Sequence, residues 1–500
     1  MKPHQTARVP APVSVVVLLT RSSCRRLSLL LSVIGCFCTL TVDVLGAAPV
    51  AADFPELAAA IQPLEAFLAG NVVTLGTDSA APDFNSPQAC NPFPADARIL
   101  AYEEHRDFLY AVGDLSPVLT RPGTAADSAR PRFVRRLLHL KPNVFVLDDG
   151  FRLPSDQPSV RWTLGSQVSM TASGDRRCFS AGDQELVWHP LRPGGDAAVA
   201  ADDAGKPADA VHAYRLQLPA AAGAVRLLQA FELRKVDGDL PPAAFAVTEQ
   251  DGQLELAIKT AQRTVQLTLP DPTLDAGWIA SQDGDGSQRI PRRPLASGVL
   301  PHGPAGVQLI ERWDSAYRGD RPAGWDTGLT APPLKDAVES GVLKPCRVIA
   351  FGCGTGTNEI YLASRGFDVT AVDVAPSALG LAAEKAQKAG VRVRWMLADV
   401  LAIPDLEPFD LVFDRGCYHH VHYVDAAGFV QTLRRLTHPG SRCLILSCNN
   451  DRPPGVREQH MRDDFSALFD FEWLRDSAIE GRDGNVRRES WSLLLRRKQE

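Results

Sequence analysis

The sequence predicts a multidomain chain, an all-β sandwich followed by an α/β domain, and three observations carry that reading. From Asn91 to Gln282, short alternating apolar runs are separated by Gly, Pro and Asp turns, the pattern of half-buried strands. From Val348 onward, short apolar runs end in a glycine turn or a carboxylate and are followed by helical patterns, as expected of a parallel sheet buried on both faces. Between them Asp283 to Pro304, DGDGSQRIPRRPLASGVLPHGP, is rich in Gly, Pro and charge and lacks periodicity. It reads as a linker between two separable domains.

The chain starts with a targeting pattern. Lys2, Arg8, Arg21, Arg25 and Arg26 precede an apolar run from Leu27 to Leu40, and Gly46, Ala47 and Ala48 supply small residues for cleavage. Residues 1–48 are thus expected to be a signal peptide or N-terminal anchor. Val33-Ile34-Gly35-Cys36 also resembles a lipid-attachment box, while the run is short for a membrane span of about 20 apolar residues. Membrane contact is expected only through this segment, and location outside the cytoplasm follows from it. Residues 49–90 read as a short lead, helical over Ala51 to Leu68.

Five hundred residues at 45% hydrophobic and 22% charged suit two or more domains, and a net charge of −6 gives no general reason to expect nucleic acid as a partner. In the region 91–282 the runs RILAYEEH, DFLYAVGD, RFVRRLLHL, NVFVLDDGFRL, SVRWTLGSQVSM, VHAYRLQL and AVRLLQAFELR, with three more after them, predict about ten strands. Ten cysteines include no CxxC pair, so a zinc ribbon is unsupported. Cys90 and Cys178 read either as a disulfide in an exported chain or as two buried small side chains.

The α/β domain is organised around VIAFGCGTGTN, Val348 to Asn358, where a strand ends in a glycine turn that opens a helix. Glycines at that junction let a ligand approach the backbone closely. A dinucleotide fingerprint places its third glycine sixth, whereas here Thr357 is sixth and Gly356 fifth, which disfavours nicotinamide and flavin. A second strand, Phe367 to Val372, ends in Asp373, spaced as a ribose-binding acid would be. Strands Val391 to Leu397 and Phe409 to Phe413 lead to Asp399 and Asp414. Three carboxylates thus line the carboxyl edge of a sheet, where open α/β folds bind ligands. Cys417, His419, His420 and His422 suit a metal by type, but adjacent positions point apart, so no metal is expected. His419 is the candidate proton acceptor.

Several motifs in this order resemble the class I S-adenosylmethionine-dependent methyltransferases, and among them the thiopurine-methyltransferase-like group. The likeness spans residues 305–500 and rests on RWDSAYRGDRPAGWDTG (Arg312 to Gly328), FGCGTGTN, AVDVAP (Ala371 to Pro376), ADV (Ala398 to Val400) and FDLVFDRGCYHH (Phe409 to His420). It implies a Rossmann-like seven-stranded domain whose last strands are Arg442 to Cys448, Phe469 to Arg475 and Trp491 to Arg496. It implies S-adenosyl-L-methionine as cofactor, with the turn Gly352, Cys353, Gly354, Thr355 and Gly356 at its methionine part, Asp373 and Val374 at the ribose, and Asp399 and Val400 at the adenine. Trp325 either closes over the cofactor or packs beneath the first helix. Asp414 is expected to face cofactor and acceptor, with a turn-capping carboxylate as the plainer reading. One departure matters: two residues before Gly352 the family carries an acid for the cofactor's amino group, and here Ala350 stands there. The loss of that bond is worth about 1.5 to 3 kcal/mol.

The middle region resembles the β-sandwich of heparinase II/III-like polysaccharide lyases through HRDFLYAVGD (His105 to Asp114), RRLLHLKPNVFVLDD (Arg135 to Asp149) and RWTLGS (Arg161 to Ser166). That family's lyase chemistry needs a preceding helical toroid, so cleavage is not expected and His105 reads as structural. A polysaccharide contact through the sandwich is the modest remainder. The function expected is methyl transfer by direct displacement to a small nucleophilic acceptor. The alternatives are an exported carbohydrate-binding protein with a degenerate methyltransferase domain, or methylation of a polysaccharide. Export stands in tension with a methyl donor made in the cytoplasm.

Overall fold

The computed structural model describes residues 53–64, 67–75, 97–116, 132–152, 159–166, 168–173, 176–192, 200–201, 212–219, 224–271, 276–319, 323–449, 453–480 and 486–499. Residues 1–48, expected to be a signal peptide or N-terminal anchor, and Cys90 lie outside these residues. Among the described residues no helix is long and apolar enough to cross a membrane. The lead is helical over Pro55–Ile61 and a following turn, Gln62–Leu64. The helix ends earlier than expected, because Leu68–Leu75 is already a strand, paired with Ser159–Ser166.

Strands before residue 295 form sheets of four, eight and five strands. One face of the eight-stranded sheet, with Leu109, Leu137, Trp188 and Phe231, packs on Trp162, Leu164 and Tyr214 of the four-stranded sheet. The other face, with Tyr110, Leu138, Val146 and Leu228, packs on Leu254, Leu256, Val265 and Ile279 of the five-stranded sheet. Three layers replace the two-sheet sandwich of about ten strands. The reason is in the sequence: FLYAV and VFVL are apolar at consecutive positions, so both faces of those strands are buried. The buried polar residues of the motifs pair across strands. Arg135 forms a bidentate pair with Asp149 at 2.6 and 2.7 Å, Arg136 reaches Asp148 at 2.5 Å, and the Trp162 indole adds a bond to Asp149. Buried charges persist only when satisfied in this way.

The expected linker is largely ordered structure. Trp278–Asp283 and Gln288–Pro294 form a hairpin at the end of the five-stranded sheet, so the Gly- and Asp-rich stretch read as linker is in part a turn. Helix α1 follows at Gly303–Asp314.

The last part of the chain is an open sheet with strands β1 (Arg347–Phe351), β2 (Asp368–Asp373), β3 (Arg394–Leu397), β4 (Phe409–Arg415), β5 (Thr437–Cys448), β6 (Phe469–Glu480) and β7 (Val486–Arg497). The order is β3-β2-β1-β4-β5-β7-β6; β7 is antiparallel to both of its neighbours, and the other pairs are parallel. Helices α2 (Pro332–Glu339), α3 (Thr357–Ser364), α4 (Pro376–Ala389), α5 (Tyr418–Leu436) and α6 (Glu458–Phe465) cover it. Alternate residues of β1 serve opposite faces: Val348 and Ala350 pack with Leu334 and Leu362, Ile349 and Phe351 with Phe429 and Leu433.

The two parts share one apolar core. Leu379, Ala382, Trp395 and Leu397 belong to the same apolar cluster as Leu254, Ile279 and Leu295. The Ser297 amide donates to the Leu397 carbonyl at 2.8 Å, and the Tyr102 amide to Gly298 at 3.2 Å, so one segment laces the edge of the eight-stranded sheet to β3. Glu103 fixes that segment by pairing with Arg293 and accepting the Ala296 amide. At Gly380 a Cβ would press on the Arg292 carbonyl, which shows how closely α4 lies against the last hairpin strand.

Candidate functional site

The glycine turn is set by three neighbours. Gly352, Gly354 and Gly356 all have positive φ, a region that L side chains enter only at a cost. A Cβ on Gly352 would stand 2.8 Å from that of Cys417, and one on Gly356 would overlap the Trp395 ring. Gly352 and Gly356 therefore admit no larger residue without a shift of their neighbours. At the end of β2 the Asp373 carboxylate, nearly buried, accepts the Gly354 amide at 2.7 Å and the Ala375 amide at 2.8 Å. Burial raises its pKa, against the lowering by those backbone donors.

Above the turn lies a cover of aromatic residues from the segment after α1. Tyr317 Oη accepts the Trp325 indole N–H at 2.8 Å and sits against Gly354. Trp325 is 47% exposed. It meets Trp313, which in turn contacts the His420 ring. Asp314 anchors the segment by accepting the Ser377 amide and hydroxyl at the start of α4. Asp326 accepts the Thr355 hydroxyl at 2.8 Å, and Lys385 of α4 donates to that hydroxyl in turn.

The remaining expected residues fall into two groups. Cys353 lies in the turn, and burial with Asp373 nearby pushes its thiol well up. Asp399 caps its own turn by accepting the Leu401 amide at 2.9 Å. Val374 is half-buried on the shared apolar cluster, and Val400 is buried with Ile403 and Met396.

Two further candidates are buried and engaged with the backbone. Asp414 is fully buried, and its oxygens accept the Cys417 amide at 3.0 Å and the Tyr418 amide at 2.9 Å. It caps the start of α5, the plainer of the two readings of this residue, and burial pushes its pKa up to about 7. His419 is buried, with Nδ1 accepting the Cys448 amide at 3.4 Å. That bond favours the Nε2–H tautomer. Nearby, His422 and Tyr418 share Asp464, at 2.7 and 2.6 Å.

Tyr317, Lys385, Arg415 and Glu359 were not picked out from the sequence. Tyr317 lay within a quoted motif without a role. Arg415, at the end of β4, donates to the Trp325 carbonyl at 3.4 Å and borders a hollow lined by Thr327, Leu329, Ala331, Leu446 and Ser490. Glu359, in the first turn of α3, is buried. An acid three residues after Gly356, in the first turn of the helix that the glycine turn opens, was the available signal.

Residues 348–440 match the family model described as a methyltransferase domain. Among similar proteins, the 2-heptyl-1-hydroxyquinolin-4(1H)-one methyltransferase of Mycobacteroides abscessus is 27% identical over 161 residues, 30% of this chain and 70% of that protein. The ubiquinone biosynthesis O-methyltransferase of Methylocella silvestris is 32% identical over 108 residues, 21% of this chain and 41% of that protein. The match thus spans less than half of the second relative. A solved structure of 1,6-didemethyltoxoflavin-N1-methyltransferase from Burkholderia thailandensis, with S-adenosylhomocysteine bound, is 22% identical, with coverage of 45% of this chain and 98% of that one and a TM-score of 0.33. The C-terminal part is an S-adenosyl-L-methionine-dependent methyltransferase domain.

Proposed function

We propose that this chain transfers a methyl group from S-adenosyl-L-methionine to a small acceptor bearing a thiol, heavier chalcogen, nitrogen or oxygen nucleophile, by direct displacement. The observation that carries the reading is the glycine turn held by Asp373 beneath the Tyr317 and Trp325 cover. A backbone cradle that admits no Cβ, beside a strand-end carboxylate, suits the cofactor's size and polarity. When bound, the cofactor supplies an activated methyl group on a sulfonium.

In this reading Gly352 to Gly356 receive the methionine portion. Asp373 has lone pairs beyond those given to Gly354 and Ala375, and these take ribose hydroxyls. Asp399 and Val400 border the adenine. Tyr317 and Trp325 exclude water, and alignment in such a closed site lowers a displacement barrier by about 7 to 11 kcal/mol. The hollow beside Arg415 is the proposed acceptor entrance.

With Asp414 and His419 buried and bonded to backbone amides, the reading favours an acceptor that already carries a nucleophilic lone pair or ionises unaided. The relative named for a hydroxyquinolinone and the thiopurine-methyltransferase-like motifs support aromatic oxygen, nitrogen or sulfur. For the strand-rich part, with its heparinase II/III-like motifs, a scaffold role is supported by internal use of the motif's polar groups. His105 is pushed down to about 3 by burial, with Arg293 adding to the effect, and Asp107 is ringed by Arg106, Arg263 and Arg289.

The test is transfer of labelled methyl by the full chain to thiols, chalcogen anions, hydroxyquinolones and glycans. Label in a small acceptor is expected. Transfer to none of them by protein that binds the cofactor would overturn the proposal.

A further inference from the structure

The acid missing from β1 has a candidate replacement on the neighbouring helix. Ala350 is fully buried between Ala371 and Phe413 of the flanking strands and packs in one cluster with Leu362 of α3. Glu359 stands three residues before Leu362 and so lies on the same face of that helix, one turn closer to the glycine turn. It is 2% exposed, and its Oε2 meets no hydrogen-bond donor. A buried carboxyl oxygen without a partner is costly and calls for an explanation, of which a ligand is one.

The charged and titratable groups facing Glu359 come from the ends of neighbouring strands. They are Arg415 after β4, Asp373 after β2, and Cys353 in the glycine turn itself. Glu359 is thus buried within electrostatic reach of the groups that border the cradle. Burial holds its pKa at about 8, well above the ordinary carboxylate range.

Resting on the cofactor reading above, we propose that Glu359 has taken over the work of the acid absent at Ala350, its Oε2 receiving the α-ammonium of the cofactor's methionine portion. A cation is the complement this oxygen lacks. Ala350 and Glu359 then form an exchanged pair, in which a small residue on the strand and an acid on the helix supply one charge at the same cradle.

The experiment is calorimetric titration of the full chain with S-adenosylhomocysteine and with the analogue whose amino group is replaced by hydrogen. The wild-type chain should prefer the amino compound by roughly ten- to a hundredfold, the worth of one charge-assisted hydrogen bond. Glu359→Gln should bind both alike, and Ala350→Asp combined with Glu359→Ala should recover part of the preference. A Glu359→Gln protein that keeps the wild-type preference overturns the proposal. Absence of binding by the wild-type chain would instead take down the cofactor reading, and the proposal with it. If Glu359→Gln does not fold, the wild-type chain decides the matter through proton release at pH 7, read in two buffers of different ionisation enthalpy. Release with the amino compound but not with its analogue supports the assignment, and equal release with both contradicts it.

Discussion

The amide of Gly354 donates to the Asp373 carboxylate at 2.7 Å, and this bond joins the end of β2 to the turn after β1. One side chain thus shapes the cofactor loop and is proposed to read the ribose. The second oxygen, given to the Ala375 amide, fixes the entry to α4 in the same way. Loop geometry and ligand recognition are therefore coupled through a single carboxylate.

The tightest packing around the turn is at Gly356, where an added Cβ would overlap the Trp395 ring in a backbone of positive φ. Gly356→Ala is expected to destabilise the chain by about 2–4 kcal/mol, combining overpacking with the cost of the left-handed conformation. In a double-mutant cycle with Trp395→Leu, urea unfolding should give a favourable coupling of at least about 1 kcal/mol, because only the steric part is relieved. Strict additivity would mean that the ring is not what restricts the position.

Glu359 sets a pH dependence whose sign follows from burial. Its pKa is raised from 4.5 to about 8 in the folded chain, with Arg415 lowering it and Asp373 adding to the rise. Between these values the native state holds a proton that the unfolded chain has lost, so this group's contribution is fully present below 4.5 and is lost as pH rises through 8. Glu359→Gln removes that dependence. Denaturant unfolding without cofactor should show the variant gaining on wild type between pH 5 and pH 8, by an amount on the order of a few kcal/mol. A stability difference that stays flat over that range would contradict a carboxyl held neutral.

The shared core around Trp395, Leu397, Leu254 and Ile279 makes residues 305–500 dependent on the sheets before them. Calorimetric unfolding of the full chain should show the strand-rich and methyltransferase parts melting in one transition. Residues 305–500 alone should expose that apolar surface and melt lower or aggregate. Two resolved transitions, with the shorter chain as stable as its counterpart in the whole, would show that the interface adds nothing.

Much of the site was legible because strand-end motifs are local. The spacing from Gly352 to Asp373, and the carboxylates at Asp399 and Asp414, could be read from apolar runs and what terminates them. What those carboxylates touch could not. Asp414 and His419 look reactive by type, yet both are buried and bonded to backbone amides, Asp414 at the start of α5 and His419 to one on β5, contacts set by helix placement. Glu359 was overlooked because a glutamate near a helix start ordinarily reads as an exposed, dipole-favoured residue. Its burial comes from packing α3 against β1. The segment Asp283 to Pro304 was misread because Gly, Pro and Asp mark hairpin turns as well as linkers. The pairing of Trp278–Asp283 with Gln288–Pro294 separates the two cases.

The most direct test of the account is calorimetric titration of the full chain with S-adenosyl-L-methionine, wild type beside Asp373→Ala, with circular dichroism to verify that both are folded. The account predicts saturable binding in the micromolar range for the wild type and at least about tenfold weaker binding for the variant, which loses the loop bond and the ribose acceptor together. A folded wild-type chain that gives no heat at millimolar donor would contradict it.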